Sequence, residues 1–249
     1  MEMTGWILAG LFGLAAFFFW RRGRAEPGGP GRAGTTAGGA DVASGEDAAE
    51  RATDAAVRGV VRYLRRAVVE PLEAGRAGED ASGILEDARD ALDDLAFFAR
   101  RLPEDSRAVE NLADVIQEVT RDYTRARGVS VRYSGPSRPV RARISREAFQ
   151  DAFYLLLENA GRFGGGQTIE IGVAEEGNEL RIRIGDRGPG FAPDALRRAF
   201  EPFWTTEPDA LGLGLPHARR LLRGQGASVG IRNREAGGGE VSVTLARES

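Results

Sequence analysis

The sequence predicts an α+β domain in its C-terminal half, with helices on one face of a mixed β-sheet. A strongly apolar helix is expected at Arg146–Phe163, between a helix at residues 109–127 and a shorter one at 216–223. Six short segments have β-type composition, and two of them alternate apolar and polar residues as half-buried strands do. The six segments are residues 129–133, 140–144, 168–174, 179–184, 228–233 and 240–245. Helices and strands of this kind pack as an α/β sandwich.

Composition narrows the functions that the chain can perform. The 249 residues carry a net charge of only −3, so nucleic acid is not expected as the main partner. The chain contains no cysteine, which excludes disulfides, thiolate zinc sites and cysteine nucleophiles. Its single histidine is His217. A catalytic site with two histidines and a histidine-rich metal site are therefore excluded.

Residues 4–20 form an uncharged apolar run that predicts a transmembrane anchor. The run is slightly shorter than the roughly 20 residues that cross a bilayer, but flanking side chains can extend it. Arg21, Arg22 and Arg24 follow directly, so the positive-inside rule places the soluble domains in the cytoplasm, on a single-pass protein of the inner membrane. Neither the leading positive charge nor the cleavage site of a signal peptide is present. A buried or interfacial helix is the alternative.

The next two segments predict a tether and a pair of helices. Residues 21–45 are rich in Gly, Pro, Ala and Thr and predict a disordered linker, which would leave no room for an extracytoplasmic sensor domain. Residues 46–103 predict two amphipathic helices in an antiparallel hairpin. Their apolar seams are Val57, Val61, Leu64, Val68 and Leu72, then Leu85, Ala88, Leu92, Leu95 and Leu102. Each seam is too wide for one partner helix, so we expect two hairpins to form a four-helix homodimer.

Three clusters carry the chemistry of the predicted sandwich. The first ends the apolar helix and offers an amide oxygen for Mg²⁺ and a guanidinium for phosphate. The second follows a strand directly and offers a carboxylate that can accept a hydrogen bond from an adenine amino group. The third opens the last helix, whose N-terminal N–H groups favour phosphates. The clusters are Asn159, Arg162 and Phe163; Asp186, Gly188 and Gly190; and Gly212, Leu213 and Gly214.

The order and spacing of these clusters resemble the nucleotide-binding family shared by sensor histidine kinases, DNA gyrase and related ATPase chaperones. Residues 159–163 resemble the N box of that family, 186–190 its first glycine box and 212–215 its second. Residues 199–206 resemble the F box of sensor kinases with a short lid, which adds Thr206 to the nucleotide-binding residues. The predicted hairpin resembles their dimerisation hairpin. The resemblance implies an ATP-binding domain at 108–247, Mg²⁺ at Asn159 and a part in two-component signalling.

The chain departs from this pattern at chemically important positions. The family's phosphoacceptor histidine stands five residues before a Pro-Leu pair, and here that position is Arg66, whose guanidinium cannot act as a phosphoryl nucleophile. Leu155 stands where the gyrase branch has a glutamate that activates water. Glu207 replaces a usual lysine of the lid and would repel phosphate. His217 opens the last helix, where a packing or surface role is favoured over catalysis.

These departures favour a degenerate kinase. In this hypothesis, the membrane-anchored chain cannot phosphorylate itself, binds ATP and Mg²⁺ weakly or not at all, and regulates or scaffolds a partner histidine kinase or response regulator. No residue is assigned a catalytic role. The alternative is an active ATP-dependent kinase that phosphorylates a histidine on another protein in trans, which the N box and both glycine boxes keep open. A third interpretation is a serine kinase of the anti-sigma-factor type, which would not need the hairpin.

The hairpin predicts that a fragment beginning at Glu46 is a dimer. Replacing Leu64 and Leu95 together with charged residues would bury unpaired charge in the helical seam and should give monomers. Sedimentation of both fragments at concentrations on the order of tens of micromolar measures this difference. A monomeric wild-type fragment would contradict the four-helix arrangement.

Overall fold

The computed structural model describes residues 107–207 and 210–248 of the chain. The predicted anchor at 4–20, the linker at 21–45 and the hairpin at 46–103 lie outside these residues. Among the residues that are described, no helix has the length and apolar character needed to cross a membrane.

Seven strands and four helices make up the described part of the chain. They are β1 (Ala108–Asn111), α1 (Leu112–Arg127), β2 (Val131–Ser134), β3 (Arg141–Ile144), α2 (Arg146–Phe163), β4 (Ile169–Glu176), β5 (Glu179–Gly185), α3 (Pro193–Arg198), α4 (Gly214–Arg223), β6 (Ser228–Asn233) and β7 (Gly239–Ala246). The predicted α/β sandwich is confirmed, and the predicted bounds of α2 and β6 are those observed.

The sequence prediction was wrong at the start of the domain. Residues 109–111 were expected in the first helix, but they belong to strand β1, which pairs antiparallel with β3 from Ala108 opposite Ile144 to Asn111 opposite Arg141. The ladder hydrogen bonds of this pair outweigh the weak local preference for helix. Helix α3, which begins with Pro193, was not predicted at all. With only six residues, it is too short to show a helical period.

Five strands form the main sheet in the order β2–β4–β5–β7–β6. Strand β2 runs parallel to β4, and all other neighbours are antiparallel. Alternate side chains of the central strands are buried on one face, as Ile169, Ile171 and Val173 are in β4. Because side chains in a strand alternate between faces, this face forms a continuous apolar surface for the helices.

Helix α2 is the centre of the core. It packs against α1 on one side and α4 on the other, and its first three turns are almost entirely buried. The rings of Phe149 and Phe153, both on α2, stack in the core with their centroids 5.8 Å apart. Leu155 is only 5% exposed and belongs to this core. At the position where the resemblance places the glutamate of the gyrase branch, this chain therefore has a leucine of the hydrophobic core.

An ion pair fixes the end of α2 relative to α1. The Arg127 guanidinium donates to both carboxylate oxygens of Glu158, from Nε and from Nη2, at 2.8 Å each. Beside it, the rings of Tyr123 and Tyr154 meet edge to face at 5.6 Å, and burial followed by the charge of Glu158 raises the pKa of Tyr154 to about 12. A side chain on Gly161 would collide with the Tyr123 hydroxyl. The helical end that carries the N box is therefore held in one position.

Candidate nucleotide-binding site

The carboxylate of Asp186 lies at the centre of the candidate site. Asp186 follows β5 directly and is 6% exposed. Its Oδ1 accepts hydrogen bonds from the N–H groups of Gly188 at 2.8 Å and Gly239 at 3.0 Å. Two backbone donors to one oxygen fix the orientation of a carboxylate. Because both bonds end on Oδ1, they orient the group without using Oδ2.

The end of α2 touches the Asp186 loop through backbone atoms. A Cβ on Gly188 would collide with the carbonyl oxygen of Phe163, and a Cβ on Gly164 would lie 3.2 Å from the Asp186 Cβ. Glycine is required where two backbone segments approach this closely. The predicted N box and first glycine box are thereby brought together, as the sequence analysis expected.

The β6–β7 hairpin covers the other side of the same loop. The Asn233 side chain accepts from the Phe191 N–H at 2.6 Å and donates to the Phe191 carbonyl at 2.9 Å. A Cβ on Gly238 would collide with the Asp186 carbonyl oxygen, and a Cβ on Gly239 would lie 2.8 Å from Asp186 Oδ2. Residues 237–239 lie between the last two predicted strands and were given no role in the site from the sequence, although three consecutive glycines are a signal of a close approach.

A charged network holds the backbone of Asp186 from the open face of the sheet. The Arg234 guanidinium donates to the Asp186 carbonyl at 2.9 Å and to Glu170 at 2.6 Å. Arg187 donates to the other Glu170 oxygen at 2.7 Å, and Arg132 approaches it at 3.4 Å. The hydrogen bonds from Arg187 and Arg234 lower the pKa of Glu170 from 4.5 to about 2. Glu170 therefore stays charged and keeps Arg234 in place.

The F box and the second glycine box form a second unit. The Phe203 N–H donates to the Gly212 carbonyl at 3.1 Å, and a Cβ on Gly212 would collide with the Trp204 carbonyl oxygen. Gly212 has φ +67°, and Phe203 also has a positive φ of 64°. A bulky residue in this region costs roughly 1–3 kcal/mol, which the surrounding contacts must offset. Near the end of the F box, the Thr205 hydroxyl accepts a hydrogen bond from the Glu207 N–H at 3.0 Å.

The N-terminus of α4 is the candidate phosphate end of the site. Gly214, the first residue of α4, is exposed and has open space around its Cα, whereas the preceding Leu213 is 7% exposed. Free N–H groups at a helix start attract anions. His217 lies one turn further and is 3% exposed, which agrees with the expected packing role. Because α4 packs against α2, this end and the Asp186 end share one support.

The residues predicted for nucleotide binding lie in these two units with different exposures. Asn159 and Phe163 are half-buried near the end of α2, whereas Arg162 and Thr206 are exposed. Gly188, Gly190 and Gly212 are all half-buried. The structure thus joins the N box to the first glycine box, and the F box to the second.

The donor set fits ATP. Asp186 offers a fixed carboxylate for the base, and the glycines around it leave no side chain in its way. Gly214 leaves the α4 N-terminus open for phosphates. In the described residues, no group of three or more His, Cys, Asp or Glu could hold a metal ion. The resemblance implies Mg²⁺ at Asn159, whose amide oxygen would share the ion with the phosphates, and the ion would neutralise phosphate charge there.

Comparison with known proteins agrees with this site. Residues 144–249 match the family described as "Histidine kinase-, DNA gyrase B-, and HSP90-like ATPase". The C4-dicarboxylate transport sensor protein DctB of Pseudomonas aeruginosa is 29% identical over 183 residues, which are 67% of this chain and 30% of that protein. The sensor protein kinase PilS of the same species is 33% identical over 113 residues, 43% of this chain and 21% of that protein. This chain therefore spans less than a third of either relative.

Solved structures show the same fold. The full-length kinase ShkA in complex with AMPPNP has a TM-score of 0.56 at 22% identity, covering 82% of this chain and 46% of that one. The mycobacterial sensor histidine kinase MprB has a TM-score of 0.52 at 18% identity, covering 57% of this chain and 98% of that one. Residues 144–249 thus form a domain of the histidine kinase-, DNA gyrase B- and HSP90-like ATPase type, and the relatives named above are sensor proteins of two-component signalling.

The Glu170 network predicts an acid-sensitive contribution to stability. A carboxylate whose folded pKa is lowered from 4.5 to about 2 stabilises the fold above pH 4.5, and this contribution is lost as the pH falls through about 2. Glu170→Gln should therefore be less stable than wild type at neutral pH, and the gap should close on acidification. Chemical denaturation from neutral pH to about pH 3 measures the gap. Glu179→Gln, at an exposed position of β5, is the control; a constant gap for Glu170→Gln would contradict the network.

Proposed function

We propose that the chain is a membrane-anchored, histidine-kinase-like signalling protein that does not phosphorylate itself and that regulates or scaffolds a partner histidine kinase or response regulator. Its nucleotide site serves to bind ATP with Mg²⁺, weakly, through Asp186, Asn159 and the second glycine box. The 46–103 hairpin joins two copies, and residues 4–20 attach the dimer to the inner membrane. The family membership and the sensor-kinase relatives support the signalling role.

One observation carries this proposal. The carboxylate expected to bind the base is held in place, but the chain offers no accessible histidine to accept a phosphoryl group. The Asp186 carboxylate is buried and held by two backbone donors, which supports its proposed role as the acceptor for the base. The only histidine among the 249 residues is His217, which is 3% exposed inside α4. A phosphoacceptor must present a free imidazole nitrogen to the phosphate, and a buried helix-packing histidine does not.

The phosphate end supports weak rather than tight binding. Glu207 follows the F box directly, and its backbone is held by the Thr205 hydroxyl. A carboxylate at about 4 Å from a phosphate charge costs roughly 1 kcal/mol in water and a few times more in a shielded cleft. Leu155 is packed in the core and cannot activate water, so gyrase-like hydrolysis is not part of the proposal.

Phosphorylation of a histidine on another protein is the second candidate function. The close backbone approaches at Gly188 and Gly212 favour it, because a site that only scaffolds would not need them. The two functions differ in one measurable quantity, the transfer of phosphate from ATP to a partner.

Nucleotide affinity should respond to the charge at position 207. Glu207→Lys replaces repulsion by attraction and should tighten ATP by about tenfold, which corresponds to roughly 1.4 kcal/mol. The gain should be smaller for ADP, which lacks the terminal phosphate, and should shrink as salt rises. Titration calorimetry with Mg²⁺ measures both nucleotides.

Two variants serve as controls for that measurement. Glu179→Lys reverses a charge at an exposed position of β5 and should leave the ATP affinity unchanged, whereas Asp186→Asn should abolish ATP binding. An unchanged affinity in Glu207→Lys would mean that this side chain points away from the phosphates. If no variant binds any adenine nucleotide, the ATP-binding part of the proposal is wrong and the protein is an interaction module only.

The purified chain should form no phosphohistidine when it is incubated alone with Mg²⁺ and labelled ATP, since His217 is its only histidine and is buried. Acid-labile label that is retained by wild type and lost in His217→Gln would refute this part of the proposal. Label that appears on an added histidine kinase or response regulator, and not on this chain, would favour the trans kinase instead.

A further inference from the structure

The β6–β7 hairpin holds both ends of the loop that carries Asp186. At the start of the loop, Arg234 donates to the Asp186 carbonyl at 2.9 Å. At its end, the Asn233 amide makes two hydrogen bonds to the backbone of Phe191, at 2.6 and 2.9 Å. Between them, the Gly239 N–H donates to Asp186 Oδ1 at 3.0 Å. We name Asn233, Arg234, Gly238 and Gly239 the hairpin clamp.

We infer that Asn233 and Arg234 are positioning residues that determine base selectivity: they hold the loop so that the Asp186 carboxylate meets an adenine amino group. This inference rests on the proposed function, since it takes the ligand to be an adenine nucleotide. An adenine carries an amino group where a guanine carries a carbonyl, so a correctly oriented carboxylate accepts from the first and repels the second. Selectivity of this kind depends on orientation within a few tenths of an ångström.

Side-chain chemistry explains why these two residues suit the task. The Asn233 amide has both an acceptor and a donor, so one side chain binds the N–H and the carbonyl of Phe191 together. The Arg234 fork reaches Asp186 with one nitrogen and Glu170 with another, and the charged Glu170 limits its movement. Gly190, with φ +80°, brings the loop against the Asn233 side chain.

The turn of the β6–β7 hairpin brings the hairpin clamp close to the Asp186 loop. The Arg234 N–H donates to the Gly238 carbonyl at 2.9 Å and closes the turn. Gly237 and Gly238 both have positive φ, of 86° and 89°, but their surroundings differ. A Cβ on Gly237 would meet open space, whereas one on Gly238 would collide with the Asp186 carbonyl. A substitution at Gly237 therefore introduces backbone strain alone, whereas one at Gly238 also introduces a contact with the Asp186 loop.

The first experiment measures the affinity of the full chain for ATP and for GTP with Mg²⁺. Asn233→Ala and Arg234→Ala should weaken ATP by roughly tenfold, within the range of coupling between residues in contact, and leave GTP unchanged. Glu235→Ala, at an exposed position of the same hairpin, should change neither. Equal losses for ATP and GTP would show a merely structural role and overturn the inference, as would an unchanged affinity for ATP.

A matched pair of variants guards against misfolding. Gly237→Ala and Gly238→Ala share the cost of a positive φ, and Gly238→Ala adds the collision with the Asp186 carbonyl, so its unfolding free energy should fall further than that of Gly237→Ala. Only Gly238→Ala should lower the ratio of ATP to GTP affinity, because only its Cβ reaches the Asp186 loop. Equal ratios in the two variants would overturn the inference even if Asn233→Ala and Arg234→Ala failed to fold.

The second experiment needs no nucleotide and separates failure of the inference from failure of the proposed function. The amides of Gly188 and Gly239 donate to Asp186 Oδ1, so their hydrogen exchange reports how firmly the carboxylate is held. Exchange at both amides should speed up in Asn233→Ala and Arg234→Ala and not in Glu235→Ala. Unchanged exchange would overturn the clamp. Faster exchange in a chain that binds no adenine nucleotide would support the clamp and refute ATP binding.

Discussion

The rest of the site depends on the close approach of three backbone segments at Asp186. The loop after β5 meets the end of α2 at Gly188 and the β6–β7 turn at Gly238, and a Cβ on either glycine would collide with a backbone carbonyl oxygen of the neighbouring segment. Two N–H groups then reach one carboxylate oxygen. Because these donors are part of the backbone, the orientation of the carboxylate depends on where the three segments lie, and the side chains of Asn233 and Arg234 bond the loop in that position.

Charge reinforces this arrangement from the opposite face of the sheet. Glu170 lies on β4, and its bonds to Arg187 and Arg234 connect the middle of the sheet to the loop and to the hairpin. A single ion pair at a surface contributes little, but one carboxylate shared between guanidinium groups of two segments restricts both of them. The hydrogen bonds from Arg187 and Arg234 that lower the pKa of Glu170 are the same ones that hold the loop and the hairpin.

The sequence predicted the parts of this site that have local patterns. Helix α2 has a long apolar period, and the residues from Asp186 to Gly190 follow a strand with an evident glycine spacing, so both could be found from the residues alone. Asn233 and Arg234 could not be found in this way, because their partners lie more than 40 positions away along the chain. Strand β1 was mistaken for helix for the same reason, since only its pairing with β3 defines it. Long-range backbone pairing leaves no local period.

The two ends of the site share the support of α2, but each also has contacts of its own. The base end is held by the sheet, the β6–β7 turn and the end of α2, whereas the phosphate end is held by the F box and α4. A charge such as Glu207 can weaken phosphate binding without disturbing the Asp186 carboxylate, because its backbone is fixed within its own loop by Thr205. A nucleotide held mainly by its base would still stabilise the folded domain, by about 2.7 kcal/mol at a concentration 100 times its Kd. Binding of that kind can set the conformation of a signalling protein without any transfer of phosphate, which is the behaviour that a regulatory partner of an active kinase requires.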